Sequence, residues 1–430
     1  MDLSTISLRD YASAQLRDLH KAIGFAGTAV DSMNLLNDLL GPGGARALSE
    51  PPLWPSGLSD DKTPIEFSVA FEDDGPPSLR LCVDPIAEVP SHAANLRVSR
   101  EILESLASRF GFSLDQFHAV SDLFLAEELR GKFVLWLSVV LRLDAPPTFK
   151  VYFNPEAQGL GRAPHLIEKA LGRLGFHDGF PALSRHALRH GMNLDRFTIF
   201  SLDLGEKSRS RVKVYASHYT AEVTDIERAA SVARGIEFGR LRDFCYLIGG
   251  GPGPFAARPL ISSYAFVEGD TDRPSGYTLH LPVRDYVTDD EASRARVIAL
   301  LSQHGFDSSA FERVLTSVAR RPLSEGVGLI PYASLRLGVL RPGVTVYLSS
   351  EIYDVAPPRS WRSLADNFSY FSQRDGKTPV AQPRVVGRKG NTHANHGALP
   401  DQGHRADPDH QPGGSATMAG RHRIQPVQPA

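Results

Sequence analysis

Five short segments of this chain resemble one another closely enough to be copies of a single β-strand. In each copy, Leu, Val or Phe alternates with polar, cationic or aromatic residues, which is the two-residue period of a strand with two different faces. The copies lie at residues 78–85, 149–155, 211–215, 277–282 and 343–349. Because they recur about every 65 residues, the chain is predicted to consist of five repeated units.

One face of these strands collects cations and phenol rings. Successive side chains of a strand point to opposite sides, so residues two apart share a face. The shared faces hold Arg80 with Cys82, Lys150 with Tyr152, Arg211 with Lys213 and Tyr215, Thr278 with His280, and Thr345 with Tyr347. The apolar residues between them must be buried on the opposite face of each strand. The polar face must then line a space that can accept charged side chains.

Two helical segments and one further strand separate successive copies. Helical periodicity covers residues 8–24, 29–40, 96–110, 114–129, 162–174, 181–190, 222–234, 237–247, 289–304 and 308–320, with Ser99 as the expected cap of the third helix. Strand patterns cover residues 65–72, 78–84, 133–143, 149–153, 196–204, 211–216, 261–267, 276–282, 328–337 and 343–349. Residues 144–147 between two of these strands are expected to form a turn.

This order predicts an α/β fold of five helix–helix–strand–strand units. The two strands of a unit are joined by short turns and should form antiparallel hairpins. Ten antiparallel strands leave no open edge when they close into a barrel, and the helices would form an outer ring over its apolar face. A parallel (β/α)8 barrel fits poorly, because it has one strand per helix. A ten-stranded barrel is wide enough to enclose a ligand chamber walled by the cations and tyrosines.

Composition limits the possible partners and location. The 430 residues are 42% hydrophobic and 22% charged, with a formal net charge of -2, so no global basic field for nucleic acid or membrane exists. Apolar runs are too short for a membrane span, and the first residues lack a signal-peptide pattern. With only Cys82 and Cys245, a reducing compartment fits, so we expect a cytoplasmic protein, monomeric or homodimeric.

The last part of the chain differs from the rest. From about residue 373 the periodicity is lost, and Gly, Pro, His and Asp become frequent. Such a segment cannot bury enough apolar surface to order itself. We therefore expect residues 1–372 to form a single barrel domain and residues 373–430 to form a disordered tail.

The polar face indicates a chemistry. Arg80, Lys150, Arg211 and Lys213 would repel one another inside a chamber unless an anion joined them, and a diphosphate supplies several charged oxygens. Tyrosines two residues further along the strands would place aromatic faces beside that anion. Such rings stabilise a carbocation and exclude the water that would quench it. Together these features indicate transfer of an allyl group.

The Lys150-x-Tyr152 and Arg211-x-Lys213-x-Tyr215 strands, with Thr63-Pro64-Ile65-Glu66-Phe67-Ser68 upstream, resemble the dimethylallyltryptophan synthase family of aromatic prenyltransferases, of the bacterial type. The resemblance covers roughly residues 8–355 and implies that family's ABBA barrel. It implies transfer of a dimethylallyl group from dimethylallyl diphosphate to the indole ring of tryptophan or a tryptophan-derived compound, as in alkaloid and other secondary metabolism.

The resemblance also implies a role for each residue that it matches. Four cations would bind the diphosphate (Arg80, Lys150, Arg211, Lys213), and three tyrosines would shield the allyl cation (Tyr152, Tyr215, Tyr347). Glu66 would accept a hydrogen bond from the indole N–H. No metal is implied as a cofactor, and the chain lacks an Asp-Asp-x-x-Asp sequence that would hold Mg²⁺.

Because this chain departs from the family pattern at several positions, the residue that acts as the general base is not identified by the resemblance. Family members often carry Gln or Lys and then Tyr on the fourth repeated strand, where this chain has Thr278 and His280. They often place a lysine, credited as the base, on the strand matching residues 133–143, which contain none. Glu66 and His280 remain as candidates, because a neutral histidine with an ordinary pKa near 6.5 can accept a proton at pH 7.

Other interpretations of the same sequence stay open. The barrel could prenylate a non-indole aromatic such as tyrosine or a hydroxynaphthalene, or it could bind an anionic ligand without catalysis. Trp54, Trp136 and Trp361 are expected to be packing residues rather than substrate platforms.

Overall fold

A computed structural model describes residues 6–25, 29–72, 75–126, 128–129, 131, 133–190, 194–205, 211–339 and 342–360. Its described helices are α1 (Leu8–Ile23), α2 (Ala29–Leu40), α3 (His92–Phe110), α4 (Asp115–Phe124), α5 (Ala163–Arg173), α6 (Gly179–His186), α7 (Val223–Ala230), α8 (Phe238–Gly249), α9 (Asp290–Gln303) and α10 (Ser309–Val318). Its described strands are β1 (Ile65–Glu72), β2 (Ser78–Val83), β3 (Leu135–Arg142), β4 (Ala145–Phe153), β5 (Asp195–Leu204), β6 (Val212–His218), β7 (Leu260–Phe266), β8 (Gly276–Leu281), β9 (Ala333–Gly338) and β10 (Gly343–Leu348).

The ten strands form one closed antiparallel barrel, in which each strand pairs with its neighbours in sequence and β1 pairs with β10. This confirms the predicted barrel of five hairpins. Among the described elements, four helix pairs connect the end of one hairpin to the start of the next, and α1 and α2 precede the first hairpin, so the helices lie on the outside and join the strands at the same end of the barrel. The other end carries the connections within the hairpins. We call these the mouth and the hairpin end.

The alternation of the strands divides the barrel wall into two faces. Outward apolar residues such as Phe67, Val69, Leu79 and Leu81 are at most 1% exposed and belong to one continuous core with the helices. Burial of this layer is the main driving force that holds the helical ring to the barrel. The inward positions are left free for polar and aromatic side chains.

Some predicted boundaries were wrong, for local reasons. The cap of α3 is Ser91, whose Oγ accepts from the N–H of Ala94, whereas Ser99 lies inside the helix and donates to the carbonyl of Asn95. The predicted turn at residues 144–147 is largely the start of β4. Proline is tolerated there because the pairing of β4 with β5 begins only at Phe149, so no ladder hydrogen bond is lost on that side.

Several predictions remain untested. Within the described residues, none of the helices is both long and apolar enough to cross a bilayer. The expected tail at 373–430, and Trp361, lie outside the described residues, so the boundary at residue 372 stays a prediction. The expected cytoplasmic location, the oligomeric state and the absence of nucleic-acid partners also stay predictions.

A buried polar cluster joins four strands on the outer face of the barrel. The Asp195 carboxylate lies 2.8 Å from Arg189 and 2.9 Å from Nδ1 of His218, whose Nε2 lies 2.9 Å from Oγ of Ser262. Ser262 continues the chain to the Tyr277 hydroxyl at 2.8 Å. An Asp–His–Ser order also occurs in hydrolases. Here the side chains of Asp195, His218 and Ser262 are at most 1% exposed, so the cluster is structural.

We expect Asp195→Ala to lower the free energy of unfolding by about 3–5 kcal/mol, because it leaves buried partners without their acceptor. Burial alone would raise the pKa of Asp195, but His218 and Arg189 hold it below its ordinary value. The contribution of Asp195 should therefore be lost as the pH falls, and the difference between variant and unaltered protein should shrink in acid. Urea denaturation at several pH values measures both effects.

The matched control is Asp122→Ala, which removes an exposed carboxylate that pairs with Arg173. It should leave the unfolding midpoint close to that of the unaltered protein. Equal midpoints for the Asp195 and Asp122 variants would contradict the structural role of the cluster.

Candidate active site

The register of the hairpins places a serine opposite a cation or a threonine in the lumen five times. In each hairpin the serine belongs to the first strand, and its partner belongs to the repeated second strand. The pairs are Ser68 with Arg80, Ser138 with Lys150, Ser201 with Lys213, Ser263 with Thr278, and Ser334 with Thr345. Sequence reasoning missed these serines, although their recurrence in every first strand was a visible signal.

Adjacent hairpins are offset by two residues around the barrel. Lys150 lies opposite Ser138 within its own hairpin but opposite Asp203 in the next one. Thr278 likewise lies opposite Arg336 across the β8–β9 pair. The offset therefore places Asp203 and a fifth cation, Arg336, beside the predicted site residues in the lumen. Neither residue was predicted from the sequence.

The structure brings the predicted site residues together in two neighbouring cavities. A cavity of 240 Å³ inside the barrel is lined by seven of them, namely Glu66, Arg80, Lys150, Tyr152, Tyr215, His280 and Tyr347. A smaller cavity of 160 Å³ at the hairpin end is lined by Arg211 and Lys213, with Thr278 and Arg336. All nine predicted residues thus face the lumen, on five different hairpins.

Two carboxylates lie among the cations at the hairpin end. Arg80 and Arg336 both donate to Oε1 of Glu72, at 2.6 and 2.7 Å. Asp203 lies 2.9 Å from Arg211 and 3.4 Å from Nζ of Lys150. Burial alone would raise the pKa of Glu72, but the two arginines lower it to about 2, so it is ionised at neutral pH.

The lysines experience excess positive charge. Burial and the guanidinium groups of Arg211 and Arg80 lower the pKa of Lys150 to about 8, against the opposing effect of Asp203. Burial, Arg211 and Lys150 lower the pKa of Lys213 well below its ordinary value. Within the described residues, no ion pair is found for the Lys213 ammonium group. An anion that joined these side chains would restore their ordinary pKa values.

A layer of rings lies above the cations, nearer the mouth. Ring centroids of Tyr152 and Tyr215 are 6.3 Å apart, those of Tyr215 and His280 are 5.9 Å apart, and those of His280 and Tyr347 are 5.9 Å apart. Burial raises the pKa of all three phenols, that of Tyr215 to about 12, so the rings are neutral. Cys82 takes the equivalent place on the first hairpin.

His280 belongs to this ring layer rather than to a typical acid–base pair. Its Nδ1 lies 3.1 Å from the Tyr347 hydroxyl. Burial and the positive charges of Lys213 and Arg80 lower the pKa of His280 to about 3. The imidazole is therefore neutral at pH 7, as expected, but it is a much weaker base than a histidine with an ordinary pKa.

Glu66 lies on the mouth side of the rings. Burial, together with the charges of Asp60 and Asp61, raises the pKa of Glu66 to about 8. Trp136 and Tyr332 line the same part of the cavity, and Trp136 stacks on Phe133 at 3.8 Å. Trp136 therefore packs, as expected, but its position opposite Tyr152 also turns it into the lumen, and whether it contacts a substrate stays untested. Trp54 lies outside this cavity.

The segment before β1 crosses the mouth. Gly57 and Leu58 line the main cavity, and Asp60 accepts hydrogen bonds from Arg258 and Arg284 on the opposite side of the barrel. The two arginines hold the pKa of Asp60 below its ordinary value, against the effect of burial. This segment therefore limits access of water to the chamber from the mouth.

In the part of the chain that the structure describes, no group of three or more His, Cys, Asp or Glu side chains could hold a metal ion.

Comparison with known proteins gives a consistent result. The family model described as tryptophan dimethylallyltransferase matches residues 34–313. The chain is 46% identical to 6-dimethylallyltryptophan synthase from Micromonospora olivasterospora, crystallised with DMASPP and Trp, with a TM-score of 0.79 over 82% of this chain and 100% of that one.

Two further crystal structures are similar. The prenyltransferase PriB, in a ternary complex with L-tryptophan and dimethylallyl thiolodiphosphate, is 39% identical, with a TM-score of 0.76 over 83% of this chain and 99% of that one. The 5-dimethylallyltryptophan synthase from Streptomyces coelicolor is 34% identical, with a TM-score of 0.76 over 81% of this chain and 99% of that one.

We expect Glu66 to be protonated at pH 7 and to lose its proton near pH 8, because its site is buried and negatively charged. Infrared difference spectra between about pH 6 and pH 10 should lose a carboxylic C=O band that Glu66→Gln lacks. Because the folded pKa of Glu66 is raised from the ordinary value of 4.5 to about 8, its contribution to stability should be lost as the pH rises between these two values, and the Gln variant should lose less stability over that range. A Glu66 carboxylate already ionised at pH 6 would contradict this.

Proposed function

This chain belongs to the tryptophan dimethylallyltransferase family, and from that premise we propose that it transfers a dimethylallyl group from dimethylallyl diphosphate to the indole ring of tryptophan or a tryptophan-derived compound. The observation that carries the proposal is the order of groups along the lumen. Cations occupy the hairpin end, neutral rings follow, and Glu66 lies beyond them toward the mouth.

The cations would bind the diphosphate and assist its departure. Arg80, Lys150, Arg211 and Lys213 come from three hairpins and converge on one end of the lumen, where Arg336 joins them. Positive charge placed where the leaving group gains negative charge favours ionisation of the C–O bond. Because five cationic side chains supply that charge, we propose that the transfer needs no metal ion.

The ring layer would stabilise the allyl cation. Tyr152, Tyr215 and Tyr347 present neutral aromatic faces directly beside the cation cluster, and His280 completes the arc between two of them. The negative face of an aromatic ring attracts a cation without forming a bond to it. The segment crossing the mouth would keep water from the allyl cation before the indole attacks.

Glu66 would orient the indole and serve as the base. It would accept a hydrogen bond from the indole N–H, and its pKa of about 8 makes it a stronger base than an ordinary carboxylate. His280, with a pKa of about 3, is the weaker candidate. In this sequence the C–O bond of the donor breaks, a bond from the allyl carbon to the indole forms, the displaced ring proton passes to the ionised form of Glu66, which is the minor form at pH 7, and diphosphate leaves.

The direct test is product analysis with purified protein, dimethylallyl diphosphate and L-tryptophan in the presence of EDTA. We expect a product with the mass of dimethylallyl tryptophan, formed together with diphosphate. Lys213→Ala should reduce its formation at least about a hundredfold, because a buried charge that contacts the leaving group is removed. Asp122→Ala is the matched control, because it changes an exposed charge far from the lumen.

The outcomes separate the alternatives. If tyrosine or a hydroxynaphthalene is prenylated in preference to tryptophan, the proposed acceptor is wrong and the proposed reaction type stands. Saturable diphosphate binding without any acceptor-dependent product would contradict the proposal and support a binding protein.

A second test concerns His280. If His280 stabilises the allyl cation as an aromatic ring, His280→Tyr should keep turnover within about threefold of that of the unaltered protein. His280→Ala should then lower turnover about tenfold and yield more dimethylallyl alcohol per prenylated product, because water reaches the cation. If it acts as the base, both variants should lose turnover equally, with no change in the alcohol-to-product ratio. Chromatographic quantification of both products from labelled donor makes the distinction.

A further inference from the structure

The cation cluster of the lumen contains its own counter-ions. Asp203 on β5 lies between Lys150 on β4 and Arg211 at the start of the neighbouring β6 segment, at 3.4 and 2.9 Å. Glu72 at the end of β1 lies between Arg80 on β2 and Arg336 on β9, at 2.6 and 2.7 Å. Each carboxylate therefore connects two cations from different strands, at the end of the lumen where an anionic ligand would bind.

These contacts place the carboxylates in a position to order the cations. Flexible Lys and Arg side chains that repel one another would otherwise spread over many rotamers. The side chain of Lys150 is only 11% exposed and that of Asp203 27%, so their ion pair is less screened than one on the surface. Ordering before the donor binds lowers the entropy that binding must overcome.

The same carboxylates oppose a bound diphosphate. Within the described residues, five half-buried cations and two carboxylates lie at this end of the lumen, namely Arg80, Lys150, Arg211, Lys213 and Arg336 with Glu72 and Asp203. Their formal sum is five minus two, or +3, rather than +5. A leaving group held by five uncompensated cations in a site of low dielectric would be released slowly.

We propose that Asp203 and Glu72 are positioning residues that fix the lumenal cations before the donor binds and limit how tightly the chamber retains diphosphate after transfer. The proposal rests on the proposed function, since it takes diphosphate as the leaving group. Asp203 is the sharper test of the two, because both of its partners, Lys150 and Arg211, are among the four cations assigned to the diphosphate from the sequence, whereas Arg336 beside Glu72 is not.

Asp203→Asn tests this by removing the charge while keeping the size of the side chain and one acceptor oxygen. Loss of ordering weakens pyrophosphate binding and loss of the negative charge strengthens it, and we expect the charge to have the larger effect in this buried site. Isothermal titration of inorganic pyrophosphate, without acceptor, should therefore give a dissociation constant about tenfold lower than that of the unaltered protein. In steady state, pyrophosphate should become a correspondingly stronger inhibitor competing with dimethylallyl diphosphate. Turnover should fall together with the KM for the donor, and a burst of product should precede slow diphosphate release.

Glu72→Gln provides an independent variant at the second ion pair, should the Asp203 variant fold poorly. Asp122→Asn, which changes an exposed carboxylate paired with Arg173, should leave pyrophosphate affinity and turnover unchanged. A purely structural role for Asp203 would reduce stability and turnover without tightening pyrophosphate binding.

Unchanged or weaker pyrophosphate binding in both folded variants would overturn this inference. That failure differs from failure of the proposed function, in which the unaltered protein would form no prenylated product, whether or not it binds pyrophosphate. An unaltered protein that does both, alongside variants that do not bind pyrophosphate more tightly, removes only the role assigned to Asp203 and Glu72.

Discussion

The functional arrangement depends on one constraint, the antiparallel register of five hairpins that are offset by two residues from one to the next. An offset of two preserves which side chains face inward, because the side-chain period of a strand is also two. An offset of one at any hairpin would turn its cation and ring to the outer face and its apolar residues into the lumen. The outer apolar layer, sealed by helices, makes that exchange unfavourable, so packing outside the barrel fixes the chemistry inside it.

The second consequence of this register is a balance of charge. Lys150 meets Asp203 because their strands belong to adjacent hairpins, and Arg80 meets Arg336 through Glu72 in the same way. Buried cations without partners would favour loss of their protons, as the lowered pKa of Lys213 indicates. A site that must hold a highly charged leaving group, and then release it, is better served by partial compensation than by the largest possible positive charge.

The sequence was sufficient to predict the architecture and the inward-facing side chains of the even-numbered strands. Alternation and a repeat of about 65 residues predicted ten strands, their pairing into hairpins and the inward side of Arg80, Lys150 and Lys213. The sequence was not sufficient to predict the contacts that side chains make between neighbouring hairpins. Asp203 and Arg336 lie on odd-numbered strands, which are not copies of the repeated strand, and the partners they meet follow from the offset, which no local pattern encodes. The pKa of His280 was also out of reach, because it depends on Lys213 and Arg80 from two other hairpins.

Glu66 and His280 occupy different electrostatic surroundings along the barrel axis. Burial lowers the pKa of His280 and raises that of Glu66, and nearby charges add to each shift, namely Lys213 and Arg80 for His280 and Asp60 and Asp61 for Glu66. The cations are therefore gathered at the hairpin end, and neutral rings separate them from Glu66. The proposed diphosphate would gain its negative charge among those cations, which favours ionisation, and the neutral rings would hold the allyl cation until an indole oriented by Glu66 meets it. One order of groups along the lumen thus serves both ionisation and attack.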